Sequence, residues 1–179
     1  IIGCFFYCKT FIINGKTWLI TFYEEKGVYG FFSLPCRKDM LLKTYIPQAP
    51  LSSFIDYFWL LEGYNPSHKR ELALPNSSAE LIIDLYNDTI QLFDQKNTRI
   101  LLSASIFCGP HSEHFIIDTA NESTVIGVHF KPGGATPFFD IPINELHNSI
   151  VSLDMLWGSY AGELREELLD SNTTEHRFH

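Results

Sequence analysis

The densest chemistry in this sequence lies in the stretch CGPHSEH, where Cys108, His111 and His114 recur at three-residue steps. A thiol and two imidazoles at that interval resemble a metal-ligand set, and His129 offers a fourth donor further along. Gly109-Pro110 interrupts the segment, so these side chains do not share one helical face. As a loop between strands they could still converge. Local hydrogen bonding or solvation is the commoner fate of such residues, and no metal is expected.

Glu80 and Asp84 form a second group. In AELIIDLYND, Leu81, Ile83 and Leu85 alternate with Glu80, Ile82 and Asp84, which puts both carboxyl groups on one face of a strand. They stand about 13 Å apart along it, too far to act as an acid–base pair on one bond, and an exposed polar face is the expected setting. If Glu80 faces a lumen instead, it can hold a ligand's amine or hydroxyl, with Trp59 and Tyr57 lining the same space. His129 shares its strand face with Val125 and Gly127, opposite Ile126, Val128 and Phe130. It reads as a structural histidine or as one turned into a cavity. Trp59, Glu80 and His129 are therefore the candidate ligand-binding residues. The chain has no Ser-His-Asp pattern, no G-x-S-x-G and no repeated carboxylate–histidine motif. No enzyme and no cofactor are expected.

The glycine pair in VIGVHFKPGGATPFFDIP raises the question of a phosphate cradle. A P-loop needs G-x-x-x-x-G-K-[ST], whereas Ala135-Thr136-Pro137 follow Gly134 and Lys131 precedes the turn. The dinucleotide fingerprint G-x-G-x-x-G is absent as well. Pro132 and Gly133 suit the two central positions of a type II turn, with glycine taking a positive φ. A strand should end there.

The elements that must position these residues are short. The chain has 179 residues, 45% of them apolar, 19% charged and 15% aromatic, which fits one globular domain with a sizeable core. A net charge of −8 argues against a chain that grips nucleic acid by itself. Arg37-Lys38 and Lys69-Arg70 read as solvated surface. Cys4, Cys8, Cys36 and Cys108 have no regular spacing, so reduced thiols in a cytoplasm are expected. The apolar opening lacks a basic flank, and Lys9, Asn14 and Lys16 interrupt it short of a membrane span.

Met40 is the first methionine, and residues 1–39 carry five basic and three acidic residues in a different style from the remainder of the chain. Met40 is the expected native start, with 1–39 as translated upstream sequence. The alternative is a native N-terminal hairpin turning at Asn14-Gly15. Beyond Met40, a strand rich in Tyr, Phe and Trp is expected within 51–61. Further strands fall at 72–74, 80–85, 89–93, 99–103, 105–108, 114–118 and 124–130, separated by turn dipeptides such as Pro75-Asn76, Asn87-Asp88 and Gly109-Pro110. Strands at this spacing, without a βαβ rhythm, imply a barrel or sandwich. Leu153, Leu156, Tyr160, Leu164 and Leu168 then recur at helical steps, with a break near Gly158. That stripe either caps the barrel or forms a dimer interface through Leu156, Tyr160, Leu164 and Leu168. Thr173 starts another helix as its N-cap.

Five phrases in register, YIPQAPLSSFIDYFWLLEG, LALPNSSAELIIDL, FCGPHSEHF, VIGVHFKPGGATPFFDIPINEL and SLDMLWGSYAGELREELLD, resemble the N-terminal regulatory domain of AraC-type transcription regulators of unknown effector. The resemblance covers about residues 45–170. It implies a mostly β fold, a cupin-like or jelly-roll β-barrel over 40–152 with a helical cap or dimerisation segment over 153–179. It implies a bacterial sensor of a small-molecule effector, working as a homodimer and reaching DNA only through a helix-turn-helix domain C-terminal to this chain. No membrane partner is implied. The H-x-H with a following Glu of metal-binding cupins is not found. Two alternatives stay open: a stand-alone cupin-like metalloenzyme or metal-binding protein using Cys108, His111, His114 or His129, and a purely structural dimerisation module with a filled barrel.

Overall fold

A computed structural model describes residues 8–13, 16–25, 28–35, 40–171 and 173–178. Strands β1 (Cys8–Ile13), β2 (Lys16–Glu25) and β3 (Val28–Pro35) form a three-stranded antiparallel sheet. Asn14-Gly15, the expected hairpin turn, lies outside the described residues.

From Met40 on, ten strands build two further antiparallel sheets. They are β4 (Leu41–Tyr45), β5 (Ile55–Tyr64), β6 (Arg70–Ala73), β7 (Glu80–Asp84), β8 (Thr89–Phe93), β9 (Arg99–Ser103), β10 (Ser105–Cys108), β11 (Phe115–Asp118), β12 (Ser123–Phe130) and β13 (Ile150–Ser152). One sheet runs β13-β10-β7-β12-β5-β4 and the other β6-β11-β8-β9. Neighbours in these orders are mostly distant in sequence, the mark of a jelly-roll winding rather than a meander. The expected barrel needs correction on one point. Among the described strands no hydrogen-bonded ladder joins the two sheets, so they form an open sandwich.

Period-two side-chain alternation sorts the six-stranded sheet into two apolar layers. One face carries Trp59, Leu61, Ile82, Ile106, Cys108 and Val125, and meets Ile90, Leu102 and Ile117 of the four-stranded sheet. The other carries Leu60, Leu81, Ile83, Phe107, Ile126 and Phe130, and is covered by the C-terminal segments. A central strand covered on both faces explains why β7 is buried at every position. Here the expectation of an exposed polar face fails: Glu80 is 3% and Asp84 5% exposed. The alternation is real, but its polar side faces the second sheet instead of solvent.

Gly127 sits opposite Trp59 on one side and Ile82 on the other. A Cβ there would lie 2.4 Å from the Trp59 indole, which is 1% exposed and has nowhere to retreat. Gly127→Ala is expected to cost about 1–3 kcal/mol through overpacking, seen as a lower midpoint in urea. An unchanged midpoint would mean that the indole can slide aside.

Strand β12 ends as its sequence requires. The Gly134 amide donates to the Lys131 carbonyl at 2.7 Å, closing a turn with Pro132 and Gly133 at its centre, and Gly133 has φ +74°. The chain then runs through 3-10 turns to helices α1 (Asp154–Trp157), α2 (Tyr160–Asp170) and α3 (Thr174–Arg177). Gly158 at φ +59° separates α1 from α2 at the expected break. Thr173 caps α3, its hydroxyl accepting from the His176 amide at 3.2 Å. Leu153 and Ala161 are buried, and Leu156, Leu164 and Leu168 pack against the same core. Tyr160 remains 58% exposed. Trp157 donates to the Phe138 carbonyl at 3.0 Å, and Phe178 stacks on Tyr45 of β4. Leu156, Leu164 and Leu168 of the helical stripe thus help to cover the outer face of the six-stranded sheet while staying partly exposed.

Candidate functional site

A cavity of about 300 Å³ lies between the two sheets, at the small end of ligand-pocket sizes. Its apolar walls come from alternate positions that face inward: Ile82, Ile106 and Val125 on one sheet, Ile90, Leu92 and Ile117 on the other. Polar groups enter where strands meet turns. Asn76, Ser78 and His111 line one end, and Asp84, Asn87 and Asp118 also lie on the wall.

Glu80 is the wall carboxyl at the start of β7, and it is 3% exposed. Strand register explains its surroundings: His129 on β12 and Cys108 on β10 are its direct cross-strand partners, and Tyr57 on β5 faces His129 from the far side. Directly opposite residues in an antiparallel ladder share a face, so Tyr57, His129, Glu80 and Cys108 form one row across the sheet. Nδ1 of His129 bonds Oε1 of Glu80 at 2.6 Å, and the Tyr57 ring stacks on the imidazole at 4.8 Å with a 6° interplanar angle. Burial pushes the Glu80 pKa up from its ordinary value, and the hydrogen bond and charge of His129 offset this only in part. Among the described residues, His129 is the hydrogen-bond partner of Glu80, which leaves Oε2 available to a ligand.

The other wall carboxyls are committed to local structure. Oδ1 of Asp84 accepts from the Tyr86 and Asn87 amides at 2.7 and 2.8 Å, and Asp118 accepts from Gln91 and from the Ala120 amide. Nδ1 of His111 donates to the Gly109 carbonyl at 2.6 Å, and burial lowers its pKa. A further buried carboxyl, Glu71 on β6, is held by Tyr64 and His68 and is not part of the wall.

The three expected ligand-binding residues do not play one role. Glu80 lines the cavity, His129 stands beside it as its partner, and Trp59 lies under Gly127 outside the lining. The CGPHSEH residues do not come together either: Cys108 is buried on the wall, His111 is turned to its own loop and His114 is exposed. Among the described residues no group of three or more His, Cys, Asp and Glu side chains is placed to hold a metal ion.

Sequence reasoning missed Arg165. Its Nε donates to the Asp84 carbonyl at 2.9 Å, and its terminal nitrogen reaches the Asn87 carbonyl and the Asp88 carboxylate, both at 3.2 Å. One side chain thus fastens α2 to the β7–β8 turn, two residues of which line the cavity. The available signal was composition: Arg165 is the one basic residue in the otherwise acidic YAGELREELLD.

A family model described as a domain of unknown function, DUF6597, matches residues 43–152, more than half of the chain. The chain belongs to this family. Among curated proteins none matches. Solved structures similar to this DUF6597 chain include the EutQ protein of Clostridium difficile, at 12% identity and TM-score 0.35 over 56% of this chain and 69% of that one. Cobalt(II) HppE in complex with Tris buffer is similar at 14% identity and TM-score 0.37, over 62% of each chain. Fe(II)-HppE with the alternative substrate (S)-1-HPP is similar at 16% identity and TM-score 0.36, over 63% of this chain and 56% of that one. Likeness this distant transfers neither ligand nor activity to the DUF6597 chain. It does correct one expectation: with a metal- and substrate-bearing protein among the similar folds, the exclusion of an enzyme no longer stands. In the DUF6597 chain no helix among the described residues is long and apolar enough to cross a membrane.

Proposed function

We propose that this chain is the sensory domain of an AraC-type transcription regulator and binds a small-molecule effector between its sheets. The observation that carries this reading is the pairing of a cavity with a fastening to the helical segment. Asp84 and Asn87 line the cavity, and Arg165 holds their carbonyl oxygens from α2. An effector that binds better to one placement of that turn shifts the population of α2 positions by its difference in affinity. A DNA-binding domain attached beyond α3 would feel that shift. Homodimerisation belongs to the same reading, with Tyr160 the residue of the helical stripe left exposed to take part.

A panel of small metabolites in a thermal-unfolding assay tests ligand binding directly, since a ligand held by the native state raises its apparent stability. At 100-fold excess over Kd the gain is about 2.7 kcal/mol. At least one compound is expected to raise Tm, and Ile82→Phe, which fills the cavity, is expected to abolish that rise. A panel without a hit, or a hit indifferent to Ile82→Phe, overturns the reading.

A further inference from the structure

We infer that the ligand of the cavity between the sheets carries a protonated amine, placed against Glu80, on a compact apolar body. This rests on the ligand-binding reading above and narrows it to a chemical class.

The cavity sets three requirements. The first is shape and polarity: Ile82, Ile106 and Val125 face Ile90, Leu92 and Ile117, so the bulk of an occupant gains by being apolar. The second is charge. Glu80, Asp84 and Asp118 contribute carboxyl groups to the lining, against Arg99 as its strongly basic residue. Arg99 lies in an exposed position at the start of the edge strand β9, in the four-stranded sheet and not in the sheet that carries Glu80. An anion placed at Glu80 would therefore meet like charge on the wall it touches.

The third requirement is the unspent acceptor. Asp84 uses its oxygens on its own turn, and Asp118 gives one to the Ala120 amide and the other to Gln91 of β8, whereas Glu80 gives Oε1 to His129 and keeps Oε2. His129 is itself fixed by stacking on Tyr57, so the carboxyl is held in place before a ligand arrives. A buried acceptor is best answered by a donor that also brings charge, because charge-assisted hydrogen bonds are roughly twice as strong as neutral ones. An ammonium group meets both needs. A hydroxyl supplies a donor without the charge, and a carboxylate supplies neither. Metal binding is a weaker match, since the described residues bring no third ligand to Glu80 and His129.

Three probes of one shape test this: cyclohexylmethylamine, cyclohexylmethanol and cyclohexanecarboxylate, each titrated calorimetrically into the full chain at neutral pH. The amine is expected to bind at least about ten-fold more tightly than the alcohol, with no measurable binding of the carboxylate. In Glu80→Gln, which keeps the shape of the side chain, the preference for the amine should disappear. Wild-type selectivity is read without any variant, so the test survives a variant that folds poorly. Equal binding of amine and alcohol, tighter binding of the carboxylate, or a preference that persists in Glu80→Gln each overturns the amine assignment while leaving a ligand-binding cavity. Failure of all three probes also overturns it. If the metabolite panel yields nothing as well, the sensory reading falls with it.

Discussion

Replacing Phe107 by alanine is expected to bring this domain close to unfolding. Phe107 is fully buried on β10, at the centre of the layer between the six-stranded sheet and the C-terminal segments. Its ring lies 4.3 Å from that of Phe139 and 6.3 Å from that of Phe130. These partners belong to a strand and to the loop beyond it, which cannot both collapse into the space an alanine leaves. Truncations of this kind cost about 3–5 kcal/mol, against a total stability for domains of about 5–15 kcal/mol. For a domain of this size that corresponds to a fall in Tm of roughly 6–20 °C. Differential scanning calorimetry checks it. A fall of less than about 3 °C would mean that the layer re-closes around the gap.

The second large effect is pH-dependent. His129→Leu leaves Glu80 buried without its partner, and removing one member of a buried pair costs about 3–5 kcal/mol when the other stays charged. The sign follows from the proton. Glu80 has a folded pKa above its ordinary value of 4.5, so the folded state favours the protonated form. Its contribution to stability is intact below pH 4.5 and is lost as pH rises through the raised pKa. Loss of His129 removes both influences that lower this pKa, so the window of loss extends further upward. Comparing His129→Leu with the double variant His129→Leu/Glu80→Gln cancels the cost of the missing imidazole. The difference in stability is expected to be near zero below pH 4.5 and to grow as pH rises towards the raised pKa, by no more than about 1.4 kcal/mol per pH unit for one proton. Urea midpoints across that range measure it. A difference independent of pH would show that Glu80 does not titrate between the two states.

The strands are legible because each rule involved acts over a few residues. β9 and β10 fall at the expected residues, the Pro132-Gly133 turn takes its expected form, and Gly158 breaks the helical segment at the expected place. β13 is not among the expected strands, since IVS carries too little pattern to mark one and exists through its pairing with β10. The site is legible only in part. Alternation in β7 shows that Glu80 and Ile82 share a face, but only the pairing of strands distant in sequence shows that this face is buried. The same pairing brings His129 beside Glu80, across 49 positions of chain. The three-residue spacing of Cys108, His111 and His114 misleads for the converse reason. Spacing along a chain carries metal-site meaning when the backbone is regular, and Gly109-Pro110 makes it irregular. Trp59 is as deep as a pocket residue but stands elsewhere, because a large aromatic beside a glycine fills the space that a cavity would need.

The Arg165 fastening has a consequence for how this fold tolerates change. Two of its three contacts end on main-chain oxygens, those of Asp84 and Asn87, which every amino acid supplies. The third ends on the Asp88 carboxylate, which is almost fully in solvent and so adds little. Swapping side chains at 85–88 therefore leaves the anchor standing so long as the loop keeps its path, whereas no other residue type at 165 combines that reach with several donors in one plane. Loss of Arg165 removes all three contacts at once, whereas a substitution at Asp88 removes only the weakest.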